Sequence, residues 1–324
     1  MSLALAATIV VPVIGVPVAA GQPQSQHDRV VAYWTAERIK TAKPRELVLG
    51  RPARPAPETK PVKPGTGGGG LGTTTGSAWP DGKGKIYRAT GRVLFTLPAG
   101  NYICSASVAT DTRSDISVVL TAGHCAFDQA SHTFATNWMF IPEFDTRDTY
   151  DCSVAVYGCW TADRLVVHSG FADQTGFTQT ATQYDWAFAV VDADGSATSQ
   201  LDQTVGSFPI EFRSYSSGSV AAFGYPAGGK YSGNNDLIYC NNSLGTDPYN
   251  LGRTYRLSCD MTGGSSGGPW LTGFDATGNT GTLSSLNSYT YSGITAMHGP
   301  KFNGFTAATW NEAVGTGTGN VIVR

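Results

Sequence analysis

The sequence predicts an all-β body made of short strands, preceded by a leader of different texture. Three observations carry this reading. Beyond residue 91, β-rich runs at 92–97, 116–121, 186–191, 220–225 and 293–297 are each bounded by Gly, Asn, Asp or Ser. Such spacing suits a β-sandwich or barrel. Extended helical periodicity is absent, apart from the residues before the C-terminus, where a short helix is expected. Residues 91–324 are also numerous enough for two small barrels packed together.

The leader comes first in the chain. Residues 1–20 carry no charge and run apolar from Leu3, and Val18-Ala19-Ala20 offers small residues for cleavage. This reads as a secretory signal peptide, although Met1-Ser2 lacks the usual positive charge. The alternative is a short membrane anchor, which Pro12 and Pro17 weaken. Residues 28–45 read as one short amphipathic helix (Val30, Val31, Tyr33, Trp34, Ile39) ending before Pro44. Residues 51–76 are rich first in Pro and then in Gly, the composition of a linker. Residues 21–90 are therefore expected to be a basic propeptide and linker, the blander alternative being a retained spacer.

Charge divides at the same place. Residues 21–92 hold 13 Lys+Arg against 5 Asp+Glu. Residues 93–324 hold the other 9 basic and 19 acidic residues, a net of −10. A basic leader can dock on an acidic body. The body lacks the basic face that nucleic-acid binding requires. Its six cysteines, Cys104, Cys125, Cys152, Cys159, Cys240 and Cys259, are even in number and fit an oxidising compartment. No C-x-x-C spacing exists, which argues against a metal site. Six cysteines allow 15 pairings; nearest-neighbour pairing (104–125, 152–159, 240–259) is the simplest.

Three segments carry chemistry. In residues 118–125 an apolar strand ends at a tight turn presenting His124, with Cys125 placed to pin it. Histidine is the side chain that changes charge near neutral pH, as a general base must. Residues 184–191 place Asp185 at the head of a near-continuous apolar strand. A carboxylate there is costly to bury without a partner, and accepting an imidazole N–H would supply one. Taken alone, Asp185 would read as a turn residue. Residues 259–270 set Ser266 among Gly263, Gly264, Gly267 and Gly268. Glycines there let the backbone turn sharply and aim the N–H groups of Gly264 and Ser266 at one point, as an oxyanion hole.

Together, Thr-Ala-Gly-His-Cys at 121–125, Asp-Trp-Ala at 185–187 and Gly-Ser-Ser-Gly-Gly-Pro at 264–269 resemble the three signatures of trypsin/chymotrypsin-like serine peptidases, in that family's order. The resemblance spans residues 91–324. It implies two packed six-stranded antiparallel β-barrels with the site between them, and a Cys104–Cys125 bridge beside the histidine. It implies a serine endopeptidase in which Ser266 is nucleophile, His124 base and Asp185 orienting acid, with no cofactor. The leader resembles that of secreted bacterial members, including the glutamyl-endopeptidase-like branch. The implied partners are a protein or peptide substrate and the chain's own propeptide, for a secreted monomer free of stable membrane association. The competing function is an inactive chymotrypsin-fold binding or adhesion protein; its hallmark, loss of a triad residue, is missing. The pattern Gly264-x-Ser266-x-Gly268 also fits an α/β-hydrolase elbow. That fold needs a helix after the serine, which Gly267-Gly268-Pro269 would break.

Departures from the family follow. Ser265 stands where animal trypsin-like enzymes carry an aspartate that pairs with a new N-terminal ammonium, so maturation must use another device. Asp260 matches the trypsin pocket-floor position, yet relatives without basic specificity share it. Residues 287–289 resemble the pocket-lining strand, which makes Ser288 and Tyr289 substrate-binding candidates. His298 lies far beyond the serine and is expected to be a satisfied structural histidine. Asn241-Asn242-Ser243 is formally a glycosylation acceptor. Arg88 and Arg92 are candidate maturation points.

Overall fold

The computed structural model describes residues 24–50, 75–80, 84–144, 152–191 and 199–324. The expected signal peptide and most of the Pro/Gly-rich linker lie outside the described residues.

Six strands make the first barrel: Thr90–Leu97, Gly100–Ala109, Ser117–Thr121, Thr136–Pro142, Trp160–His168 and Ala187–Val191. Neighbours pair antiparallel throughout, and Gly100–Ala109 closes the ring against Ser117–Thr121. Closure leaves few unpaired strand edges. Val93, Val108, Val119 and Phe140 share one face of the ring and are fully buried, while Phe188, on the opposite face, packs on Trp310 of the C-terminal segment at 5.3 Å.

The second half forms a five-stranded sheet from Ser77–Ala78, Ser219–Gly224, Ile238–Ser243, Pro269–Asp275 and Thr280–Leu286. A three-stranded sheet of Gly245–Thr246, Tyr255–Leu257 and Met297–Gly299 faces it. Tyr255, Leu257, Cys240, Trp270 and Met297 form a separate buried cluster between them. The run expected at 293–297 is a turn at its start, where Gly293 has φ +73°, and the strand begins only at Met297.

The short C-terminal helix is present as Gly304–Ala313, capped by Asn303 with Thr306 reaching back. Its Thr309 hydroxyl receives the Trp186 indole N–H at 3.2 Å, which anchors the residue next to Asp185. All three nearest-neighbour disulfides form, 104–125, 152–159 and 240–259.

The leader differs from the single helix expected. It forms two helices, Gln26–Tyr33 and Ala36–Thr41, interrupted at Trp34-Thr35. The break has a physical cause: the Thr35 side chain caps the second helix, and Trp34 turns inward to 1% exposure. The Trp34 indole N–H reaches the Asn137 carbonyl at 2.6 Å, and Tyr33 Oη donates to Asn101 Oδ1 at 2.9 Å. Both contacts join the leader to the first barrel.

Residues 76–80 and 84–89 belong to the packed body. Trp79 is buried against Phe223, Tyr239 and Phe274, and Ile86, Tyr87 and Ala89 are fully buried. Arg92 is itself a buried strand residue stacked over Phe144, and Arg88 lies in the helix Gly84–Ala89. Neither offers a protease an extended exposed bond, so the two expected maturation points do not fit this structure.

Candidate active site

Strand pairing brings the first two residues together. Ala187 is in register with Thr121, so Asp185 and His124 emerge side by side where both strands end. Asp185 is fully buried. Its Oδ2 accepts His124 Nδ1–H at 2.8 Å and the Ser288 hydroxyl at 2.5 Å, while Oδ1 accepts the His124 backbone N–H at 2.9 Å. Three donors on one buried carboxylate compensate its lost hydration. They also fix the imidazole so that Nε2 is the nitrogen left for chemistry. That atom is buried and has no hydrogen-bond partner. His124 also lies beside Cys104 and Cys125, but their sulfurs are bridged and cannot serve as thiolate ligands.

The serine loop is built from neutral hydrogen bonds. Ser265 donates both its backbone N–H (3.2 Å) and its hydroxyl (2.7 Å) to the Thr262 carbonyl. Asn287 Nδ2 bridges the carbonyls of Ser265 (3.1 Å) and Phe223 (2.8 Å), and its Oδ1 accepts the Trp270 indole N–H at 2.7 Å. Ser105 ties the loop to the first barrel: its N–H meets the Ser266 carbonyl at 2.7 Å and its hydroxyl meets that of Gly264 at 2.9 Å. The loop conformation therefore needs no ammonium at the Ser265 position.

Gly264 has φ +98°, and a Cβ there would come within 2.9 Å of the Tyr225 carbonyl. The Gly263 carbonyl accepts from Ala227 N (2.8 Å) and Gly228 N (3.2 Å). Because the peptide is planar and trans, the Gly264 N–H points the opposite way, as an oxyanion donor must.

Beside this loop lies a cavity of about 270 Å³, with Asp260, Met261 and Thr262 on one wall and Thr290, Gly293 and Ala296 on the other. Asp260 is already engaged. It accepts Lys230 Nζ at 2.5 Å, Tyr231 Oη at 3.0 Å and the Gly76 N–H at 2.8 Å. Burial pushes its carboxyl upward, but Lys230 and the other donors outweigh this and hold it below the ordinary value. Ser288 and Tyr289 do not line this cavity; they border a small gap beside Ser266. Tyr289 stacks on His298 at 5.0 Å and sends its hydroxyl to Asp247 at 2.7 Å. His298 is structural, though not satisfied as expected: both ring nitrogens lack hydrogen-bond partners, and burial holds its imidazole down at about 4.

The Ser266 hydroxyl is not turned to His124. It donates to the backbone carbonyl of Arg45, in the leader, at 3.1 Å.

Sequence reasoning missed Ser105, Asn287, Lys230 and Arg45. Asn287 carried a signal, since it precedes Ser288 in the strand compared with the family's pocket wall. The other three are common residue types in unremarkable contexts, joined to the site only by tertiary contact.

Residues 104–279 match the family model for the trypsin-like peptidase domain. The crystal structure of the protease Anisep from Arthrobacter nicotinovorans is 34% identical, with a TM-score of 0.60, covering 70% of this chain and 95% of that one. The thermostable serine protease AL20 from an extremophilic microorganism is 32% identical, with a TM-score of 0.62, covering 72% and 100%. A Glu endopeptidase structure is 19% identical with a TM-score of 0.55, covering 74% and 95%, and shares the fold. No curated protein matches the sequence. The fold and site define a chymotrypsin-like serine peptidase scaffold. The chain belongs to the trypsin-like peptidase family.

Proposed function

We propose that the protein is a secreted serine endopeptidase that works through an acyl-enzyme at Ser266. The observation that carries this reading is the buried His124–Asp185 pair at 2.8 Å, whose Nε2 is left without a partner.

In the proposed mechanism, Ser266 Oγ attacks the substrate carbonyl carbon and its proton passes to His124 Nε2. The N–H groups of Gly264 and Ser266 hold the resulting oxyanion, each worth roughly 10²–10³ in rate. Collapse breaks the C–N bond, and the departing nitrogen takes the proton from Nε2. Water then attacks the ester with His124 again as base, releasing the acid and restoring Ser266. Asp185 stabilises the imidazolium throughout without taking its proton. Residues 1–20 act as signal peptide. The leader is a propeptide, and its removal leaves Gly76 and Trp79 in the mature body. Three disulfides support an extracellular location, and no helix among the described residues is long and apolar enough to cross a membrane. Because Lys230 matches the charge of Asp260, we assign the cavity to uncharged side chains rather than to Lys or Arg.

A fluorophosphonate probe tests the nucleophile. It should label the chain once the leader is removed, and Ser266→Ala should abolish labelling. Labelling that survives the substitution overturns the assignment.

A further inference from the structure

Residues 43–49 bridge the two halves of the body through two short strands, Lys43–Pro44 and Val48–Leu49. Lys43–Pro44 pairs with the first barrel, in register with Tyr102 and Ile103, and the Arg45 N–H donates to the Ile103 carbonyl at 3.0 Å. Val48–Leu49 pairs with the second half, in register with Thr290 and Tyr291. There Thr290 N–H donates to the Leu47 carbonyl and Ser292 N–H to the Leu49 carbonyl, each at 3.1 Å. Between these points the Arg45 carbonyl caps Ser266. Only about 10 Å³ remains open between Glu46, Leu47 and the serine, at most the space of one water.

Chain direction is the informative feature, because both pairings are parallel. His124, which must protonate the leaving nitrogen, belongs to the first barrel beside the Cys104–Cys125 bridge. The oxyanion loop and the side-chain cavity belong to the second half. A substrate therefore lays its acyl half, which is N-terminal, on the second half of the body and its leaving half on the first barrel. The leader does the reverse, with residues 43–44 on the first barrel and 48–49 on the second half.

We propose that the leader is a built-in inhibitor that fills the active-site cleft backwards and so survives there uncut. This rests on the peptidase reading above. The peptide bond presented to Ser266 joins Arg45 to Glu46. In the reversed direction its nitrogen lies toward the cavity, away from the His124 side, so it cannot receive the imidazole's proton. The Ser266 hydroxyl, as donor to the Arg45 oxygen, is not poised on the carbonyl carbon. Affinity comes from elsewhere: Trp34, Val30 and Ile39 are buried, and Arg45 stacks over Tyr102 at 5.0 Å and pairs with Asp128 at 3.6 Å. Activation then requires a cut in residues 51–74 followed by departure of the leader, rather than any insertion of a new terminus.

The test uses the folded full chain, with a recognition sequence for an unrelated protease placed within residues 51–74. Uncut protein should label slowly with the fluorophosphonate probe. Cut protein should label slowly when concentrated and rapidly after dilution. Adding synthetic peptide of residues 24–50 should restore protection, with the peptide intact by mass spectrometry after prolonged incubation. The same peptide with Trp34→Ala should protect at least about 30-fold more weakly, as expected of a buried aromatic anchor. Rapid labelling of uncut protein, failure of added peptide to protect, or a cut anywhere in residues 43–49 of the peptide overturns the proposal while leaving the peptidase reading intact. Diluted cut protein that never labels removes both.

Discussion

Two carboxylates stand at opposite ends of one cleft, and their surroundings assign them different work. Asp185 receives only neutral or imidazole donors: the His124 ring and backbone N–H and the Ser288 hydroxyl. Its negative charge remains available to an imidazolium formed beside it. Asp260 instead meets a lysine ammonium, a tyrosine hydroxyl and a backbone amide. Its charge is matched before any substrate arrives. A carboxylate's position in a motif thus says less than the sign of the charge facing it. The two buried histidines teach the same point. His124 sits 2.8 Å from its carboxylate, while His298 is 3.9 Å from Asp247 and makes no ring hydrogen bond.

The largest expected break in this comparison comes at the catalytic end. Asp185→Asn keeps the shape but gives His124 Nδ1 the wrong partner, and should lower kcat roughly 10⁴-fold. Steady-state kinetics of the leader-free protein, alongside an unchanged melting temperature, would check this. A loss below tenfold would deny Asp185 its role.

At the pocket end, His298 should set an acid limit on stability. Its folded value of about 4 lies below the ordinary 6.5, so the unfolded chain binds the proton more tightly between those values. Stability should be full above about pH 6.5 and decline as pH falls, levelling off below about pH 4. The loss attributable to this residue is at most about 3 kcal/mol. Denaturant unfolding across that range, compared with His298→Gln, would isolate the contribution. An equal slope in the variant would assign the decline to other groups.

The smallest effect concerns charge matching. Lys230→Met leaves Asp260 without its counter-charge, and should raise the preference for Arg over Leu next to the scissile bond about fivefold. The pair is partly solvent-exposed, so a large gain is not expected. Peptide-library profiling of the two proteins gives the ratio; no change would mean that Asp260 does not face the substrate.

Much of this is legible in the amino-acid sequence. The triad candidates, the all-β class, the C-terminal helix and the three disulfides follow from local signals: strand-to-turn motifs, glycine clusters and cysteine spacing. Those signals are legible because the chemistry needs particular residue types within a few positions of one another. The leader's break at Thr35 was less visible, since the run 28–45 keeps helical spacing and only burial of Trp34 decides where the chain turns.

The sequence by itself determined which residues are candidates for acyl-transfer chemistry and in what order they occur. Tertiary structure decided what each of them meets. The pairing of Ala187 with Thr121 set Asp185 against His124, and Lys230, 30 residues from Asp260 in sequence, matched that carboxylate's charge. The carbonyl of Arg45, 221 residues from Ser266, took that serine's hydroxyl hydrogen bond. These outcomes depend on contacts between distant segments and on chain direction in a cleft, and a local pattern encodes neither.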